Sequence, residues 1–224
     1  GIGINLSSFT ALVGDIDNSN TIIGGAGVDT VTGGSAADNL SGGDGIDSIT
    51  GGGGNDTISG GEGNDVIVQT VNSADSMSVD GGAGNDTLTL TGFDLVSSED
   101  IIAGGDGTDT LTVAVVNATA GAGANVTGWE TLVITTAGAA SQAMTTVLTG
   151  NTTINRVDFT GANNGDRGVT SATAQLATLR SVTNSGTTSV ARAVNTTSDT
   201  LTIGAATNAA MTLGTLTVNN EEIL

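Results

Sequence analysis

The chain contains no cysteine, proline, histidine or tyrosine among its 224 residues. It has no lysine either, so its four cationic side chains are all arginines: Arg156, Arg167, Arg180 and Arg192. The lack of cysteine excludes a disulfide framework, and without thiols and imidazoles the usual zinc ligands are missing. Because histidine, cysteine and lysine supply most general bases and nucleophiles, we expect no enzyme active site in this chain.

Aromatic residues and positive charge are also scarce. Aromatics make up 2% of the chain, and Trp129 is its single tryptophan, which we interpret as a core residue. The small apolar side chains that remain suit a thin solenoid core built layer by layer, and the many Thr and Val residues favour strands. The net charge of −19 leaves no basic patch for nucleic acid. No apolar run is long enough to predict membrane insertion.

Five nonapeptides follow one another without a break from Gly24 to Val68. They read GGAGVDTVT, GGSAADNLS, GGDGIDSIT, GGGGNDTIS and GGEGNDVIV, each close to G-G-x-G-x-D-x-U-x with U apolar. Only Ala36 departs from the glycine pattern. The Gly-rich half is expected to turn, and the last three residues alternate as a very short strand. The repeat therefore predicts a coil two repeats around, with equivalent residues 18 apart.

The aspartates of these repeats are predicted to stack in two columns, one on each edge of the coil. One column holds Asp29, Asp47 and Asp65, and the other holds Asp38 and Asp56. Carboxylates and exposed loop carbonyls make an anionic all-oxygen cage, which suits calcium better than zinc or copper. Ordinary Gly-Asp turns without metal are the alternative. However, carboxylates stacked one coil apart, about 4.8 Å, would repel one another without a cation.

The register continues on both sides of the five repeats. Upstream, a degenerate first repeat places Asn20 or Asp17 opposite Asp38. Downstream, GGAGNDTLT at 81–89 and GGDGTDTLT at 104–112 supply Asp86 and Asp109, which lie 21 and 23 residues after the preceding aspartate of their column. These spacings equal one coil plus a short insertion. Asp75 and Asp100 are expected in the altered loops of the opposite edge.

Each predicted calcium site lies between two successive coils, and the sites number roughly six. The pairs are Asn20/Asp38, Asp29/Asp47, Asp38/Asp56, Asp47/Asp65, Asp65/Asp86 and Asp86/Asp109. The candidate metal residues are Asn20, Asp29, Asp38, Asp47, Asp56, Asp65, Asp86 and Asp109, with the loop glycines Gly25, Gly27, Gly34, Gly43, Gly45, Gly52, Gly54, Gly61, Gly63, Gly82, Gly84, Gly105 and Gly107.

From Val113 the calcium-type loops stop and Thr-rich apolar segments continue. Leu132, Val157, Leu179 and Leu201 are separated by 25, 22 and 22 residues, a period that fits one coil of a β-solenoid with longer turns. Residues 168–180 are alternatively read as a short helix. The arginines of this half either pair with local acids such as Asp158 or make head-to-tail contacts with the acidic half of a neighbouring copy.

The predicted organisation is a lead-in with a degenerate first repeat (1–23), a calcium β-roll (24–112) and a Thr/Ala/Asn-rich β-solenoid (113–224). The fold class is therefore all-β: a parallel β-roll or β-helix solenoid with calcium between its turns. Gly1 is not a plausible translation start, and the chain ends in mid-pattern at Leu224. We expect it to be a fragment of a longer protein.

The nonapeptides resemble the RTX (repeats-in-toxin) β-roll family. The resemblance implies that calcium lies between successive turns and is required for folding. After the last repeat comes GWETLVI, Gly128 to Ile134. In a Thr/Ala/Gly/Asn-rich chain without lysine, this strand is similar to those of RTX-type bacterial surface-layer proteins. That second resemblance implies calcium-driven assembly into a lattice outside the cell, after type I secretion.

Three functions stay open at this point. The first is a structural protein of the cell surface that assembles with copies of itself into a layer or filament, with cell-surface polysaccharide as a further candidate partner. The second is the calcium-folded module of an adhesin. The third is an accessory repeat of a secreted toxin or hydrolase whose active domain is elsewhere. The scarcity of aromatics favours assembly over an adhesin's sugar pocket.

Overall fold

In a computed structural model, the described residues are 3–5, 12–13, 18–71, 76–92, 100–115, 119–121, 125–136, 144–148, 153–160, 167–171, 178–181, 187–192, 202–205 and 215–219. They fall into two compact units. The first comprises Gly1–Thr112 and Asn125–Trp129, and the second comprises Val113–Ala124 and Glu130–Leu224.

The strands of the first unit alternate between two sheets, so each coil contributes one strand to each sheet. One sheet has the order β1 (Gly3–Asn5), β3 (Thr21–Ala26), β5 (Asn39–Asp44), β7 (Thr57–Glu62), β9 (Ser78–Ala83), β11 (Ile101–Asp106) and β14 (Val126–Thr127). The other has the order β2 (Leu12–Val13), β4 (Thr30–Gly34), β6 (Ser48–Gly52), β8 (Val66–Val71), β10 (Thr87–Gly92) and β12 (Thr110–Val115). Neighbours are parallel from β1 to β14 and from β2 to β10.

The apolar residue of each repeat forms the core, as the two-residue period of a strand requires. Each is at most 2% exposed and lies directly above its equivalent in the next coil; Leu40, for example, pairs with Ile58. The column members are Ile22, Val31, Leu40, Ile49, Ile58, Ile67, Val79, Leu88, Ile102 and Leu111. The single tryptophan, Trp129, is also fully buried, and its indole N–H donates to the Ile102 carbonyl at 3.3 Å.

The strands are longer than the three-residue segments that the repeat predicts. The strands β3 to β7 continue through the first two glycines of the repeat that follows: β5 includes Gly42 and Gly43, and Gly43 pairs with Gly25 and with Gly61 of the adjacent coils. The prediction that the whole Gly-rich half turns was therefore wrong. Without side chains at these two positions, successive backbones stay close enough to keep parallel pairing.

The second unit also consists of parallel strands. One set has the order β15 (Thr131–Thr136), β17 (Arg156–Phe159), β19 (Thr178–Ser181) and β21 (Thr202–Ala205). The other has the order β13 (Thr119–Gly121), β16 (Met144–Leu148), β18 (Arg167–Ser171), β20 (Thr187–Arg192) and β22 (Thr215–Asn219).

Two details of the second unit differ from the sequence prediction. The residue aligned with Leu179 is Ile203, not Leu201. The coil that follows Leu179 is therefore two residues longer than the 22-residue spacing predicts. The alternative helix over 168–180 is wrong, since residues at both ends of that range lie in β18 and β19. Two short strands pair with neighbours on both sides, which outweighs the weak helical spacing of the apolar residues.

The predicted fold class is confirmed: the described part of the chain is an all-β parallel solenoid. Among the described residues, no helix has the length and hydropathy needed to cross a membrane.

Candidate metal centre

Glycines shape the loops at the two edges of the first unit. The second and fourth positions of most repeats have positive φ, as at Gly43 (112°) and Gly45 (137°). The predicted glycines in this state are Gly25, Gly27, Gly43, Gly45, Gly52, Gly54, Gly61, Gly63, Gly82, Gly84, Gly105 and Gly107. Gly34 lies at the end of β4 and pairs with Gly52. A Cβ at Gly43 would overlap the carbonyl group of Gly25 one coil away, so no side chain fits.

The aspartates are buried in these loops and are linked from coil to coil. In every predicted pair, a carboxylate Oδ1 accepts the backbone N–H of its partner in the preceding coil. The distance is 2.8 Å from Asp29 N to Asp47 Oδ1 and 2.7 Å from Asp47 N to Asp65 Oδ1. The same bond joins Asn20 to Asp38, Asp38 to Asp56, Asp65 to Asp86 and Asp86 to Asp109. The structure therefore brings together all six predicted pairs.

The second carboxylate oxygen is the atom that points to a cation. Among the described residues, Oδ2 is buried without a hydrogen-bond donor in Asp29, Asp38, Asp47, Asp65 and Asp86. Each of these carboxylates belongs to a side chain at most 4% exposed. A buried acceptor left without a partner costs about 1–3 kcal/mol, and more when it is charged. A fold that repeats this arrangement coil after coil needs a positive partner for it.

The surroundings of the first glycine in each loop show which oxygen atoms lie close together and could face a cation. A Cβ placed on Gly33 would lie 2.5 Å from Asp38 Oδ2 and 2.5 Å from the carbonyl oxygen of Gly51 in the next coil. The first glycines 24, 42, 60, 81 and 104 face the equivalent pair of oxygens. A buried carboxylate oxygen and a backbone carbonyl oxygen thus converge beside the same glycine.

This donor set fits calcium. Calcium accepts carboxylates and backbone carbonyls in a flexible all-oxygen shell, whereas zinc prefers nitrogen and sulfur. Within the described residues, no three acidic side chains gather at one point, so a cation here would rely on two aspartates together with backbone carbonyls. The glycine loops provide those carbonyls. This explains why glycine recurs in the repeats as regularly as aspartate does.

The carboxylates also affect one another electrostatically. Burial raises the pKa of Asp47 and Asp65 above the ordinary value of 3.8; the backbone N–H bond opposes this, and the neighbouring aspartate adds to it. Burial likewise raises the pKa of Asp86 to about 6, reinforced by Asp109, Asp65 and Asp80. Without a cation, these columns are therefore poorly suited to hold their negative charge.

The two edges differ in their later coils. We call the column Asp29, Asp47, Asp65, Asp86 and Asp109 the first edge, and Asn20, Asp38 and Asp56 with the positions that follow them the second edge. After Asp56, the second edge has Met77 at the aspartate position, and Met77 N–H donates to Asp100 Oδ1 at 2.9 Å. Asp100 thus lies on the expected edge. Asp17 and Asp75 lie outside the described residues.

Sequence reasoning missed two kinds of residue. Gln69 occupies the position of a first glycine, and its amide donates to Asp56 Oδ2 at 2.7 Å. The signal was present, since Gln69 follows the repeat ending in Val68 directly. Asparagines at the fifth position also form rungs: Asn64 Oδ1 accepts Asn85 N–H at 2.7 Å, and Asn85 Oδ1 accepts Thr108 N–H at 2.9 Å.

Arg156 makes a local pair. It contacts Asp158 two residues away through a two-pronged bond, with Nε at 2.9 Å from Oδ1 and a second contact at 2.5 Å. The interpretation that this arginine pairs with a nearby acid is therefore confirmed, and Arg156 does not need a neighbouring copy to neutralise it.

Comparison with known proteins supports the metal interpretation. A family model described as the RTX calcium-binding nonapeptide repeat (4 copies) matches residues 17–40, 32–67, 78–93 and 97–113. These segments contain every predicted metal-site aspartate and Asn20. No curated protein and no solved structure matches the chain significantly.

Proposed function

We propose that the chain is a calcium-dependent structural protein of the bacterial cell surface, a proposal supported by the RTX calcium-binding repeats matched at residues 17–67, 78–93 and 97–113. It folds when it binds calcium and assembles with copies of itself into a surface layer or extracellular filament. Calcium binding is the general property of these repeats. We propose in addition that the chain assembles with copies of itself, lies outside the cell and binds roughly six ions.

The observation that carries the proposal is the column of buried Oδ2 atoms without donors, as at Asp47 and Asp65. Two aspartates and the loop carbonyls would hold one ion in each of five gaps, and Asn20 with Asp38 would hold one in the sixth, which gives roughly six ions in all. Bound calcium supplies the positive charge that offsets the −19 of the chain. Because the ion binds the folded loops and hardly the disordered chain, stability rises with free calcium.

Assembly is supported by the outer surface of the first unit. The outward positions of β5 and β7 are mostly short and uncharged, with Asn39 aligned on Thr57 and Ser41 on Ser59. Exposed apolar side chains interrupt this surface: Val28 is 67% exposed and Ile46 is 56% exposed. Short uncharged side chains with a few exposed apolar ones, bordered by the exposed acids Asp44 and Glu62, favour contact with another copy more than catalysis.

The proposed location is the cell exterior after type I secretion, which is typical of RTX-repeat proteins. Cytosolic calcium is too dilute to fill sites of the extracellular class, so the chain would stay unfolded until release. Partners are then further copies of the chain and, as a second candidate, cell-surface polysaccharide.

The test is a calcium titration of the purified chain, with magnesium at equal ionic strength as the control. Circular dichroism follows β-structure, Trp129 fluorescence follows burial of the only indole, and electron microscopy of the same samples follows assembly. Asp47→Ala and the exposed Asp44→Ala form a matched pair of variants. We expect calcium, not magnesium, to produce both β-structure and sheets or filaments, with Asp44→Ala like the unmodified chain and Asp47→Ala delayed in both.

Two results would contradict the proposal. If the chain folds with calcium but stays monomeric, assembly is wrong and the chain is a calcium-folded module of an adhesin, toxin or hydrolase. If it is fully folded in EDTA and calcium changes nothing, calcium-dependent folding is wrong as well.

A further inference from the structure

Gln69 takes the place that the two preceding coils of its sheet give to Gly33 and Gly51, and the coil that follows has Leu90 there. Ile67 pairs with Ile49 and Val68 with Thr50, so the next residue, Gln69, lies over Gly51. At that point the chain carries a long polar side chain that is 1% exposed. A buried glutamine inside a glycine-based loop needs a physical reason.

The side chain reaches back into the loop of the preceding coil. A Cβ on Gly51 would overlap the Gln69 amide oxygen, with the amide carbon 2.9 Å away. In the other loops, the space beside the first glycine faces the carbonyl oxygen of the next coil and the loop's own aspartate. The glutamine amide therefore lies where two oxygens converge elsewhere; its own Oε1 is buried there without a hydrogen-bond donor, while its nitrogen faces the aspartate.

The amide also supplies the donor that the other carboxylates lack. Gln69 Nε2 donates to Asp56 Oδ2 at 2.7 Å, and more weakly to the Thr70 carbonyl at 3.2 Å. The equivalent Oδ2 atoms of Asp38, Asp47 and Asp65 have no such donor. The coil that follows offers no carboxylate in return, because Met77 stands at the aspartate position.

We infer that Gln69 is a built-in substitute for a calcium ion. Its amide N–H closes the gap after Asp56 and ends the metal column of the second edge there, so that this gap holds no ion and Met77 packs over Asp56 without one. The inference rests on calcium binding by the loops and not on the assembly of the chain. Gln69 is a positioning residue: it neutralises Asp56 by hydrogen bonding rather than by charge.

A glutamate at this position should reverse the arrangement. In Gln69→Glu, a carboxylate would face Asp56, so the calcium-free coil should lose stability, and the pair should take up a cation. We expect one more calcium ion per chain than in the unmodified protein, measured by equilibrium dialysis at saturating calcium. Stability in saturating calcium should return to at least the unmodified level. Ala26→Glu is the matched control, because it adds the same charge at an exposed position whose equivalents are Asp44 and Glu62.

A second variant removes the donor without adding charge. Gln69→Leu keeps the bulk and leaves Asp56 Oδ2 without its amide partner, so we expect the calcium midpoint of folding to rise about fivefold. The inference is overturned if Gln69→Glu binds the unmodified number of ions, or if Gln69→Leu keeps the unmodified midpoint. If the unmodified chain folds when calcium is added, its loops bind calcium. Failure of the inference about Gln69 can therefore be told apart from failure of calcium binding.

Discussion

The two edges of the first unit are built from the same repeat, but their carboxylates face different neighbouring groups. On the first edge, five buried aspartates follow one another through successive coils. On the second edge, Asp38 and Asp56 are adjacent, and amide groups donate to them from both sides: Asn20 Nδ2 to Asp38 at 2.9 Å and Gln69 Nε2 to Asp56 at 2.7 Å.

This difference separates two roles within the repeat. The glycines fix the path of the backbone on both edges, whereas the residue that faces each carboxylate decides whether the gap depends on a cation. A column of carboxylates needs external positive charge in every gap, because like charges one coil apart repel. A column with amides at its ends has less negative charge in its end gaps and depends less on a cation there. Dependence on calcium is thus a property of each gap and not of the repeat as a whole.

The largest effect on the calcium midpoint of folding is expected at Asp47. It takes part in two carboxylate pairs, with Asp29 and with Asp65, whereas Asp56 takes part in one and is otherwise bonded to Gln69. We expect Asp47→Ala to raise the calcium midpoint of folding about tenfold and Asp56→Ala about threefold, where tenfold corresponds to about 1.4 kcal/mol.

The measurement is a calcium titration followed by circular dichroism, with the exposed Asp44→Ala as control. Equal shifts for Asp47→Ala and Asp56→Ala would show that the two edges depend on calcium alike. Because the sequence places Asp75 in an altered loop, we expect Asp75→Ala to shift the midpoint less than either, measured in the same series.

The second effect concerns two glycines of opposite edges. A Cβ on Gly42 would overlap the Asp47 carboxylate and lie 2.7 Å from the Gly60 carbonyl oxygen, whereas at Gly53 the nearest atom is 3.9 Å away. We expect Gly42→Ala to lower the free energy of unfolding by about 2 kcal/mol and Gly53→Ala to change it by less than about 0.5 kcal/mol. Urea titrations in saturating calcium measure both. If Gly42→Ala leaves the free energy of unfolding unchanged, adjacent coils can move apart to accommodate the added methyl group.

Much of this architecture was predictable from the printed residues. The nonapeptide phase places Asp29, Asp47 and Asp65 on one edge because a two-repeat coil brings residues 18 apart into register. The same arithmetic, with insertions, predicts Asp86 and Asp109. The pattern is reliable because glycine and alternation both constrain the backbone, and each supports the other.

The sequence shows Gln69 in the place of a first glycine, but it does not predict the contact of its amide with Asp56, because a repeat pattern says only that the glycine is missing. Only the structure shows that this side chain folds back onto Gly51 and meets Asp56. The strand β21 was misplaced for a related reason: connections outside the nonapeptide repeats vary in length, so Ile203 and not Leu201 continues the column. Long-range contacts decide such positions.

A smaller effect is expected from the asparagine rungs on the exposed side of the first edge. Asn85 Oδ1 accepts the backbone N–H of Thr108 at 2.9 Å, so Asn85→Ala leaves that N–H to water. We expect a loss of about 0.5–1 kcal/mol, read from urea titrations in calcium. Asn85→Asp keeps the acceptor and should lose less. If alanine and aspartate behave alike, the rung does not contribute.

The smallest effect is a pH response whose sign depends on the metal. In the metal-free coil, burial raises the pKa of Asp86 from 3.8 to about 6, so the folded chain holds this proton more tightly than the unfolded chain does. The stability from this group is fully present below about pH 4 and is lost as the pH rises through 6. With calcium the sign reverses, because the ion binds the deprotonated carboxylate. Circular dichroism in EDTA should therefore show more residual β-structure at about pH 4.5 than at pH 7, and the opposite order in limiting calcium. Asp86→Asn should flatten both trends, and a chain with the same pH order in EDTA and in calcium would rule out the first edge as the cause.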